Sequence, residues 1–109
     1  MNVQFKKGVL ELCVLALVAQ RDRYGYELVE RISRQIEIAE GTVYPLLRRL
    51  TDEGYFETYL KESTEGPPRK YYRITAHGRS TLNTLRHEWQ QFATGVSTLL
   101  NEGSTHDEK

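Results

Sequence analysis

The feature that most constrains how this chain can fold is a heptad pattern of apolar residues towards its C-terminus. Between residues 82 and 99 the apolar positions are separated by gaps of 3, 4, 3, 4 and 3, as on a helix that packs along one seam. A helix over residues 76–101 would be roughly 39 Å long, at a rise of about 1.5 Å per residue. Because residues 1–75 can form only a modest core, we expect this helix to pack against a second copy of the chain. The predicted dimer interface consists of Leu82, Leu85, Trp89, Phe92, Val96 and Leu99.

The segments before this helix predict three further helices and a β-hairpin. Apolar residues recur at helical spacing over residues 6–19, 26–35 and 39–53. The pattern then changes to an imperfect alternation rich in aromatic residues, which predicts strands over residues 55–62 and 69–75 around the turn sequence STEGPP. The predicted fold class is therefore mostly α with a small β-hairpin, a winged helix-turn-helix domain followed by a long C-terminal dimerisation helix.

This order of elements also predicts different functions for different segments of the chain. In a winged helix-turn-helix domain the second helix supports the third, the third enters the major groove of DNA, and the hairpin touches the backbone nearby. We therefore expect a DNA-binding domain over residues 1–75, a dimerisation helix over residues 76–101 and a flexible tail over residues 102–109.

The stretch GTVYPLLRRL, residues 41–50, places Pro45 inside the third predicted helix. Proline is tolerated in the first turn because the N–H groups there have no partner within the helix. We interpret Pro45 as a marker of a helix that starts about one turn upstream. Gly54 is suited to the left-handed position just past the end of this helix, and Thr75 can cap the start of the last one.

Composition gives no general signal for nucleic-acid binding. Basic and acidic residues number 15 each, and residues 1–100 carry 14 basic and 12 acidic side chains, so DNA binding would depend on where the charges lie. The single cysteine, Cys13, excludes an internal disulfide and is interpreted as a small buried residue. The apolar run around it is too short for a membrane span. We expect a cytoplasmic protein that does not associate with membranes.

An enzymatic function finds no support in the sequence. The histidines at positions 77, 87 and 106 have no partner at the spacing of a metal site or a catalytic triad. There is no glycine-rich phosphate loop, so we predict neither a catalytic residue nor a metal or cofactor. The alternative to DNA binding is a protein-interaction or antirepressor module that keeps the winged-helix fold but has lost DNA binding, a hypothesis that the zero net charge favours.

Three segments resemble the PadR family of bacterial transcriptional regulators: YGYELVERI, EGTVYPLLRRLTDEGYFE and GPPRKYYRITAHGRSTL. The resemblance covers roughly residues 8–85, and the single C-terminal helix is similar to that of the small subfamily. It implies a homodimeric repressor that binds a pseudo-palindromic operator of double-stranded DNA. It also implies that a small aromatic or lipophilic effector binds at the dimer interface and changes the spacing of the recognition helices.

The resemblance also indicates which side chains contact DNA. The start of the third helix would be exposed, and helix N-termini favour anions such as phosphate. Two alternatives stay open: Tyr44 could instead pack on the second helix, and Arg48 could pair with Asp52. The pattern does not decide whether Arg48 or Arg49 faces the DNA. The predicted DNA contacts are Tyr24, Glu40, Thr42, Tyr44, Arg48, Arg69 and Lys70.

The effector site implied by the resemblance lies on the C-terminal helix. In the small subfamily a tryptophan on this helix stacks planar ligands across the two-fold axis, and Trp89 is similarly placed. Phe92 and Arg86 would complete the site, with Arg86 favouring an acidic or phenolic ligand. The alternative for Trp89 is plain packing in the dimer interface, where an aromatic side chain supplies a large buried area.

Overall fold

A computed structural model describes residues 3–39 and 41–106, so the predicted DNA contact Glu40 lies outside the described residues. The described residues form four helices and three short strands. In chain order these are α1 (Val3–Gln20), β1 (Arg23–Tyr24), α2 (Gly25–Ser33), α3 (Val43–Asp52), β2 (Phe56–Lys61), β3 (Arg69–Ile74) and α4 (Ala76–His106). The predicted fold class is confirmed: the chain is mostly helical, with a small sheet and a long C-terminal helix.

The sheet contains the predicted hairpin and one strand that the sequence did not predict. β3 lies in the middle and pairs antiparallel with both β2 and the two-residue strand β1. Strand β1 was missed because two residues are too few to show an alternating pattern. It places Tyr24 opposite Tyr71, so the segment just before α2 is bonded to the hairpin.

The core fills the space between α1, α2, α3, the inner face of the sheet and the first turns of α4. The four helices and the two strands of the hairpin each contribute apolar residues to it. The buried apolar residues are Leu10, Val14, Leu15, Val18, Leu28, Ile32, Val43, Leu46, Leu47, Leu50, Phe56, Tyr72, Ile74 and Leu82.

Helix α3 begins at Val43, four residues later than the predicted start at Ala39. A helix that began at Ala39 would bring the Pro45 ring against the carbonyl of Gly41 and would lose the bond that this carbonyl accepts. Instead the Thr42 N–H donates to the Ala39 carbonyl, at 3.1 Å, in a turn that precedes the helix. Pro45 is then the third helical residue, where an N–H group would have no partner within the helix.

Helix α4 is capped as expected and then extends beyond the core. Thr75 Oγ1 accepts from the Gly78 N–H at 3.0 Å and donates to the Gly54 carbonyl at 2.7 Å. The helix continues past the predicted end at Asn101 to His106. The chain measures 64 × 27 × 22 Å, and its radius of gyration of 17.2 Å exceeds the roughly 13 Å of a compact domain of this length.

The heptad stripe of α4 has two parts with different environments. Leu82 is only 3% exposed and Leu85 packs against the core, so the burial of Leu82 requires no second copy of the chain. Beyond them the stripe leaves the core, and its side chains are exposed on the single chain. The exposed members are Trp89, Phe92, Val96 and Leu99.

Candidate nucleic-acid interface

Tyr44 lies against the start of α2 and also faces solvent. A Cβ atom placed on Gly25 would lie 2.8 Å from Tyr44 Cε1, so the ring rests on the backbone at the point where α2 begins. The Tyr44 side chain is nevertheless 43% exposed. The two roles considered for this tyrosine, packing on α2 and presentation to a ligand, are therefore compatible in one conformation.

Tyr72 of β3 lies at the edge of the core, within electrostatic range of Tyr44 and Arg48 of α3. Burial is the main cause that raises the pKa of Tyr72, the neighbouring Tyr44 adds to the increase, and the Arg48 guanidinium opposes it. Tyr44 and Arg48 therefore lie in the same region of the molecule as Tyr72.

The two neighbouring arginines of α3 have different surroundings. Arg49 donates to Glu11 of α1 at 3.1 Å and to Glu53 at 3.0 Å. Burial lowers the pKa of Arg49, but the hydrogen bonds to these two carboxylates outweigh it, so that the pKa is raised. Arg48 is exposed, and within the described part of the chain no carboxylate, including that of Asp52, forms a salt bridge with it. Arg48 is the arginine of this pair that is available to a ligand.

The hairpin of β2 and β3, here called the wing, separates Arg69 and Lys70 onto opposite faces. Lys70 pairs with Leu60 and lies on the same face as Tyr72, with its Nζ 6.0 Å from the centre of the Tyr72 ring. The Arg69 guanidinium lies over the ring of Tyr24, 4.7 Å from its centre. Only Lys70 therefore shares a face with the Tyr44–Arg48 surface.

The other face of the wing carries a row of tyrosines. The ring centres of Tyr24 and Tyr71 are 5.5 Å apart, and Tyr59 stacks on Tyr71 at 5.6 Å with an interplanar angle of 14°. The Tyr59 hydroxyl donates to Asp22 Oδ2 at 2.6 Å, a bond that raises the pKa of Tyr59. Arg73 contacts the same carboxylate at 3.5 Å. These contacts hold the wing to the turn between α1 and α2, and they fix its position relative to α3.

A buried arginine anchors that turn from the inside. Arg23 is 7% exposed; its Nε donates to the Leu17 carbonyl at 2.8 Å and its guanidinium donates to Gln20 Oε1 at 2.8 Å. Burial lowers the pKa of Arg23, which is opposed by the nearby carboxylate of Glu27. Arg23 therefore satisfies the carbonyl of Leu17, one of the last four of α1, which the helix itself leaves unpaired. The sequence gives no signal for this role, because a lone arginine beside other charges resembles a solvated one.

Residues 14–84 match the model of the transcriptional regulator PadR-like family. The chain belongs to this family. It is 37% identical over 89 residues to a protein from Lysinibacillus sphaericus, and the matched region covers 78% of this chain and 82% of the relative. It also matches the crystal structure of a PadR-like transcriptional regulator from Bacillus cereus, with 41% identity, a TM-score of 0.80, and coverage of 89% of this chain and 96% of that one. A Streptococcus mutans protein of known structure is 34% identical, with a TM-score of 0.82 over 87% of this chain and 89% of its own.

The family assignment makes the chain a DNA-binding transcriptional regulator with a winged-helix fold. The matched range begins within α1 and ends on α4 at residue 84, so it contains α2, α3 and the three strands in full. Within residues 3–39 and 41–106 no helix is long and apolar enough to cross a membrane. The same residues contain no group of three or more histidine, cysteine or acidic side chains placed to hold a metal ion.

Thr42 is the residue just before α3 in this PadR-like chain. It has helical backbone angles, φ −77° and ψ −37°, and its side chain makes no capping hydrogen bond. The first N–H groups of α3 are unpaired within the helix and carry a partial positive charge, which favours an anion in front of them. The hydroxyl of Thr42 lies at this end of the helix and is not engaged in closing it.

The three predicted effector residues lie on the exposed part of α4. The rings of Trp89 and Phe92 are in contact, with centres 6.2 Å apart. Arg86 lines a groove of about 320 Å³ between α1 and α4, of which Trp89 and Phe92 are not part. On a single chain the structure therefore brings Trp89 and Phe92 together and leaves Arg86 facing a separate surface. The other residues lining the groove are Ala16, Ala19, Gln20, Arg79, Leu82 and Asn83.

Proposed function

We propose that this PadR-like regulator is a homodimeric repressor that binds a pseudo-palindromic operator and is released by a small aromatic or lipophilic effector. The observation that carries the DNA-binding site is the exposure of Tyr44 and Arg48 on α3, with Lys70 on the face of the wing that carries Tyr72. We assign DNA binding to residues 1–75 and dimerisation to α4, the helix that follows.

In this proposal α3 enters the major groove with its N-terminal end towards the DNA. Arg48 is exposed and fully charged, so it can reach a phosphate or pair with the acceptor atoms of a guanine. Thr42 and Tyr44 lie at the helix end that favours anions, and their hydroxyls donate to phosphate oxygens. The remaining proposed backbone contacts are Tyr24, Arg69 and Lys70. Glu40, outside the described residues, is also proposed to contact the DNA.

The proposed dimer accounts for the exposed part of α4. A single chain leaves Trp89, Phe92, Val96 and Leu99 in water on one side of a helix, and such a contiguous apolar stripe marks a protein interface. A second copy that buries this stripe would place two winged domains at a fixed separation, as a two-fold symmetric operator requires.

The proposed effector site is on the same stripe. Trp89 and Phe92 offer large apolar surfaces that would stack on a planar ligand, and Arg86 offers a positive charge for an acidic or phenolic group. Ligand binding between the two copies would shift α4 against its partner and change the separation of the two α3 helices. The effector would act by stabilising a dimer in which the separation of the two α3 helices does not fit the operator.

DNA binding is tested by comparing Arg48→Ala with Arg79→Ala, which removes an equally exposed arginine beside the α1–α4 groove. The probe is the DNA immediately upstream of the gene for this protein, and the measurement is fluorescence anisotropy as a function of salt. We expect Arg48→Ala to weaken binding roughly tenfold or more. The number of counterions released on binding, given by the slope of log affinity against log salt concentration, should fall by about one. Arg79→Ala should bind like the wild type.

Equal affinities for the wild type and Arg48→Ala would contradict the site assignment. The alternative, a winged-helix module without DNA binding, predicts no complex with this or any other promoter and a stable protein partner in pull-down experiments. The zero formal net charge is the feature that favours this alternative. The exposure of Arg48, one helical turn after Tyr44, favours DNA binding.

The effector is tested through the intrinsic fluorescence of Trp89, which is the only tryptophan in the chain. We expect planar aromatic compounds to quench this fluorescence and to release the operator DNA, since stacking places the ligand directly on the indole. The matched variant Arg86→Ala should lose affinity for acidic ligands and keep it for neutral ones. A broad panel of compounds that leaves the fluorescence unchanged would favour a packing role for Trp89.

A further inference from the structure

We infer that Glu11 of α1 and Arg49 of α3 are positioning residues for DNA recognition, because their ion pair fixes the rotation of α3 about its own axis and so keeps Arg48 directed at the DNA. This inference rests on the proposed function, since it takes Arg48 as the arginine that contacts the DNA. Glu11 and Arg49 themselves contact no DNA in this role.

Two contacts hold α3, one on each side of its buried residues. At about 100° per residue, Tyr44 and Arg49 lie roughly 140° apart around the helix, with Arg48 between them on the side away from the core. Tyr44 rests on the backbone of Gly25, where α2 begins. On the other side, the Arg49 guanidinium donates to Glu11 of α1 at 3.1 Å. The buried residues of α3 are Val43, Leu46, Leu47 and Leu50.

The ion pair supplies a direction that the apolar contacts lack. Hydrophobic burial determines which side of α3 faces the core, but it is not directional, so a small rotation that keeps these residues covered costs little. A hydrogen-bonded guanidinium is directional, because its planar group bonds best along its N–H vectors. The side chains of Arg49 and Glu11 are 36% and 20% exposed, so water screens this pair less than it screens a fully exposed one.

Helix α1 is a firm support for Glu11 because other elements hold its opposite side. Ala16 and Gln20 lie roughly 140° and 180° around α1 from Glu11. Both line the groove between α1 and α4, so α4 packs on the side of α1 that faces away from Glu11. Glu11 therefore gives Arg49 a partner that does not move with α3. The buried residues that fix α1 in the core are Leu10, Val14, Leu15 and Val18.

Glu53, the second partner of Arg49, cannot have this role. It accepts a hydrogen bond from the Arg49 guanidinium at 3.0 Å, but it follows Arg49 by one turn at the end of α3. A bond between neighbouring turns of one helix rotates with the helix and does not fix its orientation. The two carboxylates therefore bind the same guanidinium at nearly the same distance, and only Glu11 joins α3 to another element.

A change in the rotation of α3 would affect the reading of bases more than the overall affinity. A bidentate contact between Arg48 and a guanine needs two hydrogen bonds with good distances and angles. Attraction to phosphates depends less on the exact position of the cation, because a charge acts over a longer range. Loss of the Glu11–Arg49 pair should therefore lower the discrimination between DNA sequences.

The test compares full-length variants on two duplexes, one that the wild type has selected from a random-sequence pool and a scrambled form of it. Fluorescence anisotropy gives both affinities, and their ratio measures specificity. Glu11→Gln should lower this ratio about fivefold. The matched control Glu53→Gln removes the partner within α3 and should leave the ratio unchanged. A loss of folded protein lowers both affinities equally, so a purely structural role would not change the ratio.

Arg49→Gln and the double variant with Glu11→Gln complete a double-mutant cycle. The double variant should lose no more specificity than Arg49→Gln alone, because either substitution already removes the pair. Arg49→Gln should also keep the wild-type slope of log affinity against log salt concentration, since Arg49 neutralises no phosphate. This slope separates the role of Arg49 from that of Arg48.

Three results would overturn this inference and leave the proposed function standing. They are a wild-type ratio in Glu11→Gln, an equal loss of specificity in Glu53→Gln, and additive losses in the double variant. A slope that falls by about one in Arg49→Gln would also overturn it, because Arg49 would then be a direct phosphate contact. A wild type that selects no duplex would overturn the proposed function as well.

Discussion

At the scale of single residues, two glycines of α4 show how different the surroundings of one residue type can be. Gly78 is buried, and a Cβ atom on it would lie 2.3 Å from the carbonyl oxygen of Tyr55 and 2.8 Å from Ile74. That carbonyl accepts the Thr75 N–H, so it cannot move without losing the bond that joins the residue before α4 to the residue before β2. Gly95 has open space around the position of a Cβ atom.

We therefore predict opposite effects on stability for the same substitution. Gly78→Ala should lower the free energy of unfolding by about 1–3 kcal/mol, because the added methyl group overpacks a site closed by backbone atoms. Gly95→Ala should raise it by about 1 kcal/mol, since alanine favours the helix without meeting a neighbour. Thermal unfolding measures both changes, and 1 kcal/mol corresponds to a shift of roughly 4–8 °C for a domain of this size. A Gly78→Ala variant as stable as the wild type would show that β2 and α4 are less tightly joined than this contact indicates.

At the scale of elements, the sequence predicts those that depend on local pattern and fails for those that depend on tertiary contacts. Gly54 ends α3 with φ +85°, as its position after the predicted helix requires. The start of α3 was predicted too early because the apolar pattern was followed back to Ala39, although Pro45 is tolerated only in the first turn and so excludes that start. Strand β1 depends on pairing with β3, which no local pattern encodes.

The candidate site shows the same limit more sharply. The sequence pattern does not show which of Arg48 and Arg49 faces the DNA. The ion pair that distinguishes them joins Arg49 to Glu11, 38 residues away along the chain. The sequence analysis also grouped Arg69 with Lys70 at the wing, although strand alternation alone places neighbouring residues on opposite faces. That separation could have been predicted. The tyrosine row could be anticipated only in part, since the place of Tyr24 depends on β1.

At the scale of the whole molecule, α4 contacts the winged domain only through its first turns. Its first turns are fixed by the Thr75 cap and by Leu82 in the core, and the remainder projects from the body of the chain. A helix of 31 residues is roughly 46 Å long, so a small change in its packing at the far end moves the winged domain by a larger distance. This geometry would convert an effector bound near Trp89 into a change in the spacing of two α3 helices.

The proposed dimer is tested by introducing charge into the exposed part of the stripe. Val96→Arg combined with Leu99→Arg should give a folded monomer by light scattering, because both side chains are exposed on the single chain and their loss leaves its core intact. The control is Gln91→Arg combined with Thr98→Arg, which adds the same charge at heptad positions away from the stripe. The control should stay dimeric and bind DNA, whereas the stripe variant should bind DNA far more weakly, since two linked domains gain from effective concentration. A dimer that survived both stripe substitutions would show that another surface, such as α1, forms the interface.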